Sequence, residues 1–202
     1  VPLLGGHRGA NRLAQAIAQA SFGFAAITTA GDIGLGVALD EPPQGWTVKN
    51  PERAKAVAAA LLSGEAVGLD VESGDPAWLA LAGFTAGAKV GVRVTHHTGE
   101  NETAMVLHPP TLALGVGCER GCDVGELAQL VDSILAESNI SKKSIACVAS
   151  IDVKSDEAAV LELAHNLGVP ARFFTPQALE AEASNLQNPS DIVFAEVGCH
   201  GV

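Results

Sequence analysis

Residues 112–127 read LALGVGCERGCDVGEL, an apolar run followed by a glycine-rich loop and the start of a helix. The run at residues 112–116 predicts a buried strand, and the loop at residues 117–122 leaves its carboxyl end. Asp123 is placed to cap the following helix, and Glu126 completes a capping box. A strand, a loop and a helix in this order form the repeating unit of α/β proteins. The segment therefore predicts an α/β fold with parallel strands.

The same alternation extends over the rest of the chain. Pro109 and Pro110 interrupt it after His108, which marks a domain boundary. We predict two small α/β domains, residues 1–108 and 111–202, with largely parallel sheets flanked by helices. The predicted strands are residues 1–4, 25–29, 66–71, 90–95, 112–116, 145–149, 169–174 and 192–196. The predicted helices start at Asn11, Asn50-Pro51, Asp123, Ser155 and Thr175-Pro176. The helix that starts at Asp123 has a predicted buried stripe of Leu127, Leu130, Val131, Ile134 and Leu135.

Composition narrows the class of protein. The 202 residues carry a formal net charge of −11 with only 12 Lys and Arg, so most of the surface repels nucleic acid and anionic lipid. Apolar runs are too short for a membrane span, and four cysteines are too few for a disulfide scaffold. We expect a cytoplasmic protein that binds neither nucleic acid nor membrane. The start at Val1-Pro2 has no signal-peptide features, and we expect the sequence to be a piece of a longer chain.

Ligands of open α/β sheets bind beyond the carboxyl ends of the strands. This rule selects the loops at residues 5–11, 30–32, 117–122 and 150–154. In the first loop, His7 is a candidate general base, and Arg8 and Arg12 are candidate partners of carboxylates. The alternative for this loop is a tight glycine turn with a surface histidine.

The later loops offer further candidates. Glu119 is placed to position water, Arg120 to bind a carboxylate, and Asp152 and Lys154 follow the next strand. Cys118 and Cys122 lack the partners of a zinc site, so packed or free thiols and no metal site are expected. His96-His97 is predicted as a polar turn at a strand end, where adjacent side chains point to opposite faces and do not share a ligand.

Three stretches, in their order and spacing, resemble the CbiG family of cobalamin biosynthesis. The segment between them, from GWTVKN at 45–50 to LLSGE at 61–65, is similar to the linking region of that family, and residues from Thr111 onward also resemble CobE. The resemblance covers nearly the whole chain. The three stretches are VPLLGGHRGANRLA at 1–14 with ITTA at 27–30, LGVGCERG at 114–121, and SIDVKSDE at 150–157 with PARFF at 170–174.

The resemblance implies hydrolytic opening of the δ-lactone of cobalt-precorrin-5A with loss of acetaldehyde. Ester hydrolysis requires a base for water and donors for the oxyanion. We expect His7, Glu119 or Asp152 to act as the base, and Arg120 or loop N–H groups to hold the oxyanion. The predicted substrate-binding residues are Gly6, Arg8, Gly9, Asn11, Arg12, Gly117, Cys118, Arg120 and Lys154.

The expected ligand is an anionic tetrapyrrole intermediate, whose cobalt belongs to the substrate, so no resident cofactor is expected. Two alternatives stay open: a module that binds a corrin intermediate without converting it, as the CobE resemblance allows, and a part of a fusion with precorrin-3B methyltransferase, which occurs in this family. Other enzymes of cobalamin biosynthesis, a fused methyltransferase and a second copy of the chain are the expected protein partners.

Overall fold

The computed structural model describes residues 10–25, 35–99 and 103–201. The chain divides into two compact units, Val1–Pro110 and Thr111–Val202. The assignment of residues 1–108 to the N-terminal and linking regions of the resembled family, and of residues 111–202 to its C-terminal domain, stays a prediction. The predicted strand at 1–4, most of the one at 25–29 and the loop at 30–32 lie outside the described residues.

The first unit is built on a four-stranded sheet in the order β1-β4-β3-β2. The strands β2, β3 and β4 are mutually parallel, and β1 pairs with β4 in the antiparallel sense. The helices are α1 (Ala10–Ala20) and α2 (Ala54–Leu62), with 3-10 turns at Pro51–Arg53 and Ala77–Ala82; the strands are β1 (Thr47–Val48), β2 (Gly68–Val71), β3 (Val90–Val94) and β4 (Met105–His108).

Asn50 precedes the helical segment at 51–62 but does not cap it through its side chain. Instead, its Nδ2 donates to the carbonyl of Ala104 and its Oδ1 accepts from the N–H of Val106, both at 2.8 Å. The helix prediction is confirmed, although Asn50, a residue type that favours the cap position, does not cap the helix. The side chain bonds to the backbone next to and within β4, and so ties the helical segment to the sheet.

Strand β4 was not predicted, although it lies between β1 and β3. All four of its residues are buried, as is the following Pro109. A central strand covered on both faces reads as a short apolar run without alternation. Here the strand has only four residues and ends directly before two prolines. The prolines indicated a break in the chain and so concealed the strand. The core around it includes Leu39, Leu79, Val92, Val94, Met105 and Leu107.

The second unit has a three-stranded sheet in the order β5-β6-β7, and both strand pairs are parallel. The prediction of parallel strands is therefore confirmed. Two further helices follow β7. The elements are β5 (Leu112–Gly115), α3 (Val124–Glu137), β6 (Ile145–Ile151), α4 (Ala158–Leu167), β7 (Ala171–Phe174), α5 (Pro176–Glu180) and α6 (Asp191–Val197).

Helices α3 and α4 pack against each other, as expected when two consecutive crossovers between parallel strands have the usual right-handed sense. Asp123 caps α3 as predicted, since its Oδ1 accepts from the N–H of Glu126 at 3.0 Å. Of the predicted stripe, Leu127, Val131 and Leu135 are buried. Leu130 and Ile134 are half exposed, because they face a groove beside the edge strand β5.

The predicted start of one helix in this unit is wrong, and so is the predicted type of another element. Helix α4 begins at Ala158 and not at Ser155, because residues 152–154 first form a 3-10 turn. The run at 192–196 forms helix α6 and not a strand. Ser190 caps α6 by accepting from the N–H of Val193, and Gly198 ends it with a φ of 80°. These terminal signals outweigh the β-propensity of the apolar residues between them.

No helix in the described part of the chain combines the length and the apolar character that crossing a membrane requires.

Candidate functional site

The candidate site of the second unit lies where β5 and β6 end. Hydrogen bonds join the residue just beyond β5 to the last part of β6: the N–H of Val116 donates to the carbonyl of Ala149 at 2.9 Å, and the hydroxyl of Ser150 donates to the carbonyl of Val116 at 2.7 Å. The buried Ser150 therefore fixes the start of the glycine-rich loop relative to β6. This brings the loop at 117–122 next to the turn at 152–157.

Glu157 holds the two loops together. Its side chain is only 4% exposed, and its two carboxylate oxygens accept from the N–H of Gly121 at 3.2 Å. Lys154 Nζ lies 3.8 Å and Arg120 Nε 3.9 Å from Glu157 Oε2. A buried carboxylate is tolerated only with such partners, because removing its charge from water is costly. The loops are thus joined through one buried acid and two cations.

Arg120 makes a second set of contacts on the outer side of this cluster. Its Nη1 donates to Asp156 Oδ1 at 2.5 Å and its Nη2 donates to the carbonyl of Val153 at 2.6 Å. The hydrogen bond from Arg120 lowers the pKa of Asp156 below its usual value. The Asp156 side chain is 76% exposed, and exposed ion pairs contribute little to stability. The Arg120–Asp156 pair therefore contributes little to holding the loops together.

A pocket of about 260 Å³ opens beside the glycine-rich loop. Two of its polar groups are the Glu119 carboxylate and the Cys118 thiol. Burial raises the pKa of Cys118, with a further contribution from Cys122, so the thiol is held in its neutral form. All four cysteines are free. The pocket is lined by Gly117, Cys118, Glu119, Cys122, Glu126, Leu127 and Leu130.

An apolar cavity of about 190 Å³ adjoins this pocket and shares Gly117, Leu127 and Leu130 with it. It runs along α3 beside β5, which is an edge strand. Ile134 and Leu130 border it, which is why these two residues of the predicted stripe are not buried in the core. The two cavities form an opening that is polar at the loop end and apolar along the helix.

The structure brings together five of the predicted site residues. Arg120 and Lys154 flank Glu157, and Gly117, Cys118 and Glu119 line the pocket. Asp152 lies at the same edge, as the first residue of the 3-10 turn. The roles assigned to these residues stay predictions.

The predicted residues of the first loop cannot be placed in the same way. Gly6, His7, Arg8 and Gly9 lie outside the described residues. Asn11 and Arg12 lie in α1 of the first unit, and their side chains are outside the description. Their roles in binding or catalysis also stay predictions.

Sequence reasoning missed Glu157. An acidic residue before a helix is favoured by the helix dipole alone, and this explanation conceals any other role. Asp156 and Glu157 are adjacent acids in the sequence, yet one is exposed and the other is buried. Only the packing of the loop at 117–122 over this turn distinguishes them.

Comparisons with known proteins place similarity at both ends of the chain. The family described as Cobalamin synthesis G C-terminus matches residues 112–202, and the family Cobalamin synthesis G N-terminal matches residues 1–32. A cobalt-precorrin-5A hydrolase of Priestia megaterium is 29% identical over the whole chain, and protein CobE of a Sinorhizobium species is 46% identical over 91 residues. The chain spans about 60% of the length of each of these relatives.

Two solved structures are also similar. A crystal structure of CobE, a protein from the cobalamin biosynthetic pathway, is 36% identical with a TM-score of 0.44 and covers 46% of this chain and 66% of its own. A cobalamin biosynthesis protein G homolog from Sulfolobus solfataricus is 22% identical with a TM-score of 0.31 and covers 92% of this chain and 55% of its own.

Proposed function

Because the chain belongs to the cobalamin synthesis G family, we propose that it works in cobalamin biosynthesis and hydrolyses the δ-lactone of cobalt-precorrin-5A, with release of acetaldehyde. Water adds to the lactone carbonyl, and the bond to the ring oxygen breaks to give a carboxylate and an alcohol. The carbon–carbon bond between the alcohol carbon and the macrocycle then breaks: the hydroxyl group loses its proton and becomes the carbonyl of acetaldehyde, and the macrocycle carbon takes up the bonding electrons and a proton.

One observation carries this proposal. Every residue that lines the pocket beside the glycine-rich loop lies in the segment that matches the C-terminal family. The pocket places a carboxylate, Glu119, next to glycine backbone and beside an exchangeable Arg120–Asp156 pair. Hydrolysis requires a base near the reacting carbonyl and a group that orients the substrate. Glu119 is the proposed base, and Arg120 is the proposed orienting group.

The contacts of the loop restrict these roles. The N–H of Gly121 is bonded to Glu157, so we do not assign it as a donor to an oxyanion. Arg120 binds a substrate carboxylate in place of Asp156 and keeps its bond to the carbonyl of Val153. Lys154 is 14% exposed and remains with Glu157, where it supports the loops rather than meeting the ligand. This proposal moves Lys154 from substrate binding to positioning.

The size of the pocket indicates which part of the substrate enters it. About 260 Å³ lies below the range of about 300–1,000 Å³ that is usual for small-molecule sites, and it is too small for a tetrapyrrole macrocycle. We propose that a peripheral group of the macrocycle enters the pocket and that the ring rests outside on the apolar opening along α3.

The remaining expectations are part of the proposal: a cytoplasmic protein whose ligand is an anionic tetrapyrrole, with no nucleic acid or membrane partner. Partnership with other enzymes of the pathway, a fused methyltransferase or a second copy also stays a prediction. The expectation that the protein itself holds no metal ion also stays a prediction. A cluster of possible metal-binding side chains in the first unit gives a reason to test it.

The proposal is tested by incubating the protein with the lactone intermediate and measuring acetaldehyde. Loss of a general base typically costs about 10²–10⁴-fold in rate, so Glu119→Gln is expected to lower kcat within that range. Asp152→Asn and His7→Gln test the alternative bases. Glu137→Gln, at the far end of α3, is the matched control and retains full activity. Full activity of all three site variants would overturn the site assignment.

A second candidate function is binding of a corrin intermediate without conversion. The similarity to CobE over 91 residues favours this function. The second unit also has a sheet and a core of its own, which suits a separate binding module. This function predicts a saturable change in tetrapyrrole absorbance without acetaldehyde. Acetaldehyde release by the wild-type protein would exclude it.

A further inference from the structure

Three metal-binding side chains meet in the first unit, where β2 and β3 end. Glu72 follows β2, and His96 and His97 follow β3. Because β2 and β3 are parallel neighbours, their carboxyl ends share one edge of the sheet. One ligand atom from each of the three side chains lies within 4.8 Å of the others. Within residues 10–25, 35–99 and 103–201, this is the one such group of three His, Cys, Asp or Glu side chains.

The two histidines are close because β3 ends before them. The sequence predicted that the two histidines end a strand and that their side chains point to opposite faces of the sheet. The strand β3, however, stops at Val94. The chain bends at His96, and the two imidazole rings lie 4.2 Å apart at an angle of 43°. The expectation that they do not share a ligand is therefore not supported by the geometry.

The spacing of the ligand atoms suits a metal ion. Oε1 of Glu72 lies 3.1 Å from Nε2 of His97. Ligand atoms at about 2.0–2.1 Å from a tetrahedral zinc ion lie about 3.3 Å from one another. The Glu72–His97 pair thus needs only small side-chain adjustments to hold an ion between its two atoms.

Thr95 orients the carboxylate of this cluster. Its hydroxyl donates to Oε2 of Glu72 and accepts from the N–H of His97 at 3.0 Å. Oε1 is left to face the histidine. Such hydrogen bonds to a ligating carboxylate are typical of metal sites.

The backbone holds these residues in place. The N–H of Glu72 donates to the carbonyl of Val94 at 2.9 Å, and the N–H of Thr95 donates to the carbonyl of Leu107 at 3.0 Å. The three ligand positions therefore rest on a continuation of the sheet and not on a separate loop. A rigid support of this kind is what a preorganised metal site requires.

Unsatisfied polar atoms supply an independent observation. Nδ1 of His96 is buried and has no hydrogen-bond partner among the described residues, and the same holds for Oγ of Ser73, next to Glu72. A buried polar atom without a partner costs about 1–3 kcal/mol, and such atoms in native proteins often indicate a water molecule or an ion. A metal ion held by the three side chains would give the imidazole of His96 a partner.

We propose that Glu72, His96 and His97 form a binding site for one divalent first-row transition-metal ion. Two imidazoles and a carboxylate select such ions over Mg²⁺ and Ca²⁺, which prefer oxygen ligands. Three protein ligands leave at least one coordination position for water. The proposal does not depend on the proposed function, because binding is measured without any tetrapyrrole.

The test is titration of the metal-free protein with Zn²⁺ by calorimetry and with Co²⁺ by absorbance. We expect one ion per chain and cobalt bands without a thiolate-to-metal charge-transfer band. Glu72→Gln is expected to weaken binding at least tenfold and His97→Ala about a hundredfold, while circular dichroism shows that both variants fold. Thr95→Val removes only the orienting hydroxyl and is expected to weaken binding by about 10–100-fold.

The controls replace other possible ligands in the same protein. His165→Ala, His200→Ala and the double variant Cys118→Ser/Cys122→Ser are expected to bind Zn²⁺ as the wild type does. If the cluster variants do not fold, His96→Gln at the partly buried ring provides the comparison. No binding by the wild type, or loss of binding only in the cysteine or His200 variants, would overturn the proposal.

Discussion

Glu157 joins the two loops of the candidate site as a buried carboxylate. It accepts from the N–H of Gly121 and lies near Lys154 and Arg120, so it serves both loops at once. Asp156, its neighbour, is exposed and meets only the outer side of Arg120. Adjacent acids therefore have different tasks: Glu157 holds the loops, and Asp156 occupies the position on Arg120 that we propose for a ligand carboxylate.

Replacing Glu157 tests the first task. We expect Glu157→Ala to lower the free energy of unfolding by about 1–3 kcal/mol, because it leaves the N–H of Gly121 and a largely buried Lys154 without their partner. Urea unfolding followed by circular dichroism measures this. Asp156→Ala is the matched control, and we expect no change in its unfolding midpoint. Equal stability of both variants would show that Glu157 does not hold the loops.

His108 provides a test of pH dependence in the first unit. Burial lowers the pKa of His108 below its usual value of 6.5, and its Nδ1 is 2.8 Å from the carbonyl of Thr95. The unfolded chain therefore takes up the proton at a higher pH than the folded chain. The resulting stability is complete above about pH 6.5 and is lost as the pH falls below that value.

Thermal unfolding between pH 7.5 and pH 5 measures this loss. His108→Asn keeps a donor for the carbonyl of Thr95 and does not titrate in this range. We expect its Tm to fall less with decreasing pH than the wild-type Tm. Parallel curves for the two proteins would contradict the assignment of His108 as a buried neutral histidine.

At the scale of elements, the pairing of β2 with β3 depends on two glycines. The register shifts after Gly68, which pairs with Val90, whereas Leu69 pairs with Val92, so Gly91 forms a bulge. A Cβ on Gly68 would lie 2.7 Å from the carbonyl oxygen of Ala88. This is backbone and cannot rotate away. Glycine is therefore required where the two strands start to pair.

Gly68→Ala tests this requirement. We expect a loss of about 1–3 kcal/mol in the free energy of unfolding, because the added methyl group forces the two chains apart. The matched control is Gly99→Ala, where a Cβ would meet no atom within 4 Å. Chemical unfolding followed by tryptophan fluorescence is suitable, since Trp46 and Trp78 both pack on the core of this unit. A Gly68→Ala protein as stable as the control would refute the steric argument.

The elements also show which sequence signals are reliable. Strong signals at the ends of elements, such as Asp123 before α3 and Thr175 before α5, predicted helix starts that the structure confirms. The apolar run of α6 was assigned to a strand although Ser190 and Gly198 stand at its ends. Capping residues were more informative here than the propensity of the residues between them, because terminal hydrogen bonds are local.

At the scale of the whole molecule, each unit has its own core. The members of the second core run from Leu114 to Phe173, and none comes from the first unit. We therefore expect residues 111–202 to fold when produced alone. Since the tryptophans at 46 and 78 lie outside this segment, far-ultraviolet circular dichroism is the suitable measurement.

The expected result is a cooperative thermal transition of the isolated segment. Val148, fully buried on the central strand β6, provides the sensitive variant. Val148→Ala is expected to lower the Tm clearly, because it leaves a cavity, whereas the exposed Val153→Ala is not. A segment without a cooperative transition would show that the second core is not sufficient by itself.

The sequence by itself determined the alternation of strands and helices over most of the chain, the largely parallel sheets and the similarity to one family. These features follow from patterns of neighbouring residues, which local propensity and periodicity record. The tertiary structure alone decided that Glu157 is buried while Asp156 is exposed, that Leu130 and Ile134 border a groove, and that Glu72 meets His96 and His97. Such contacts join residues far apart in the chain, and their energy depends on which surfaces meet.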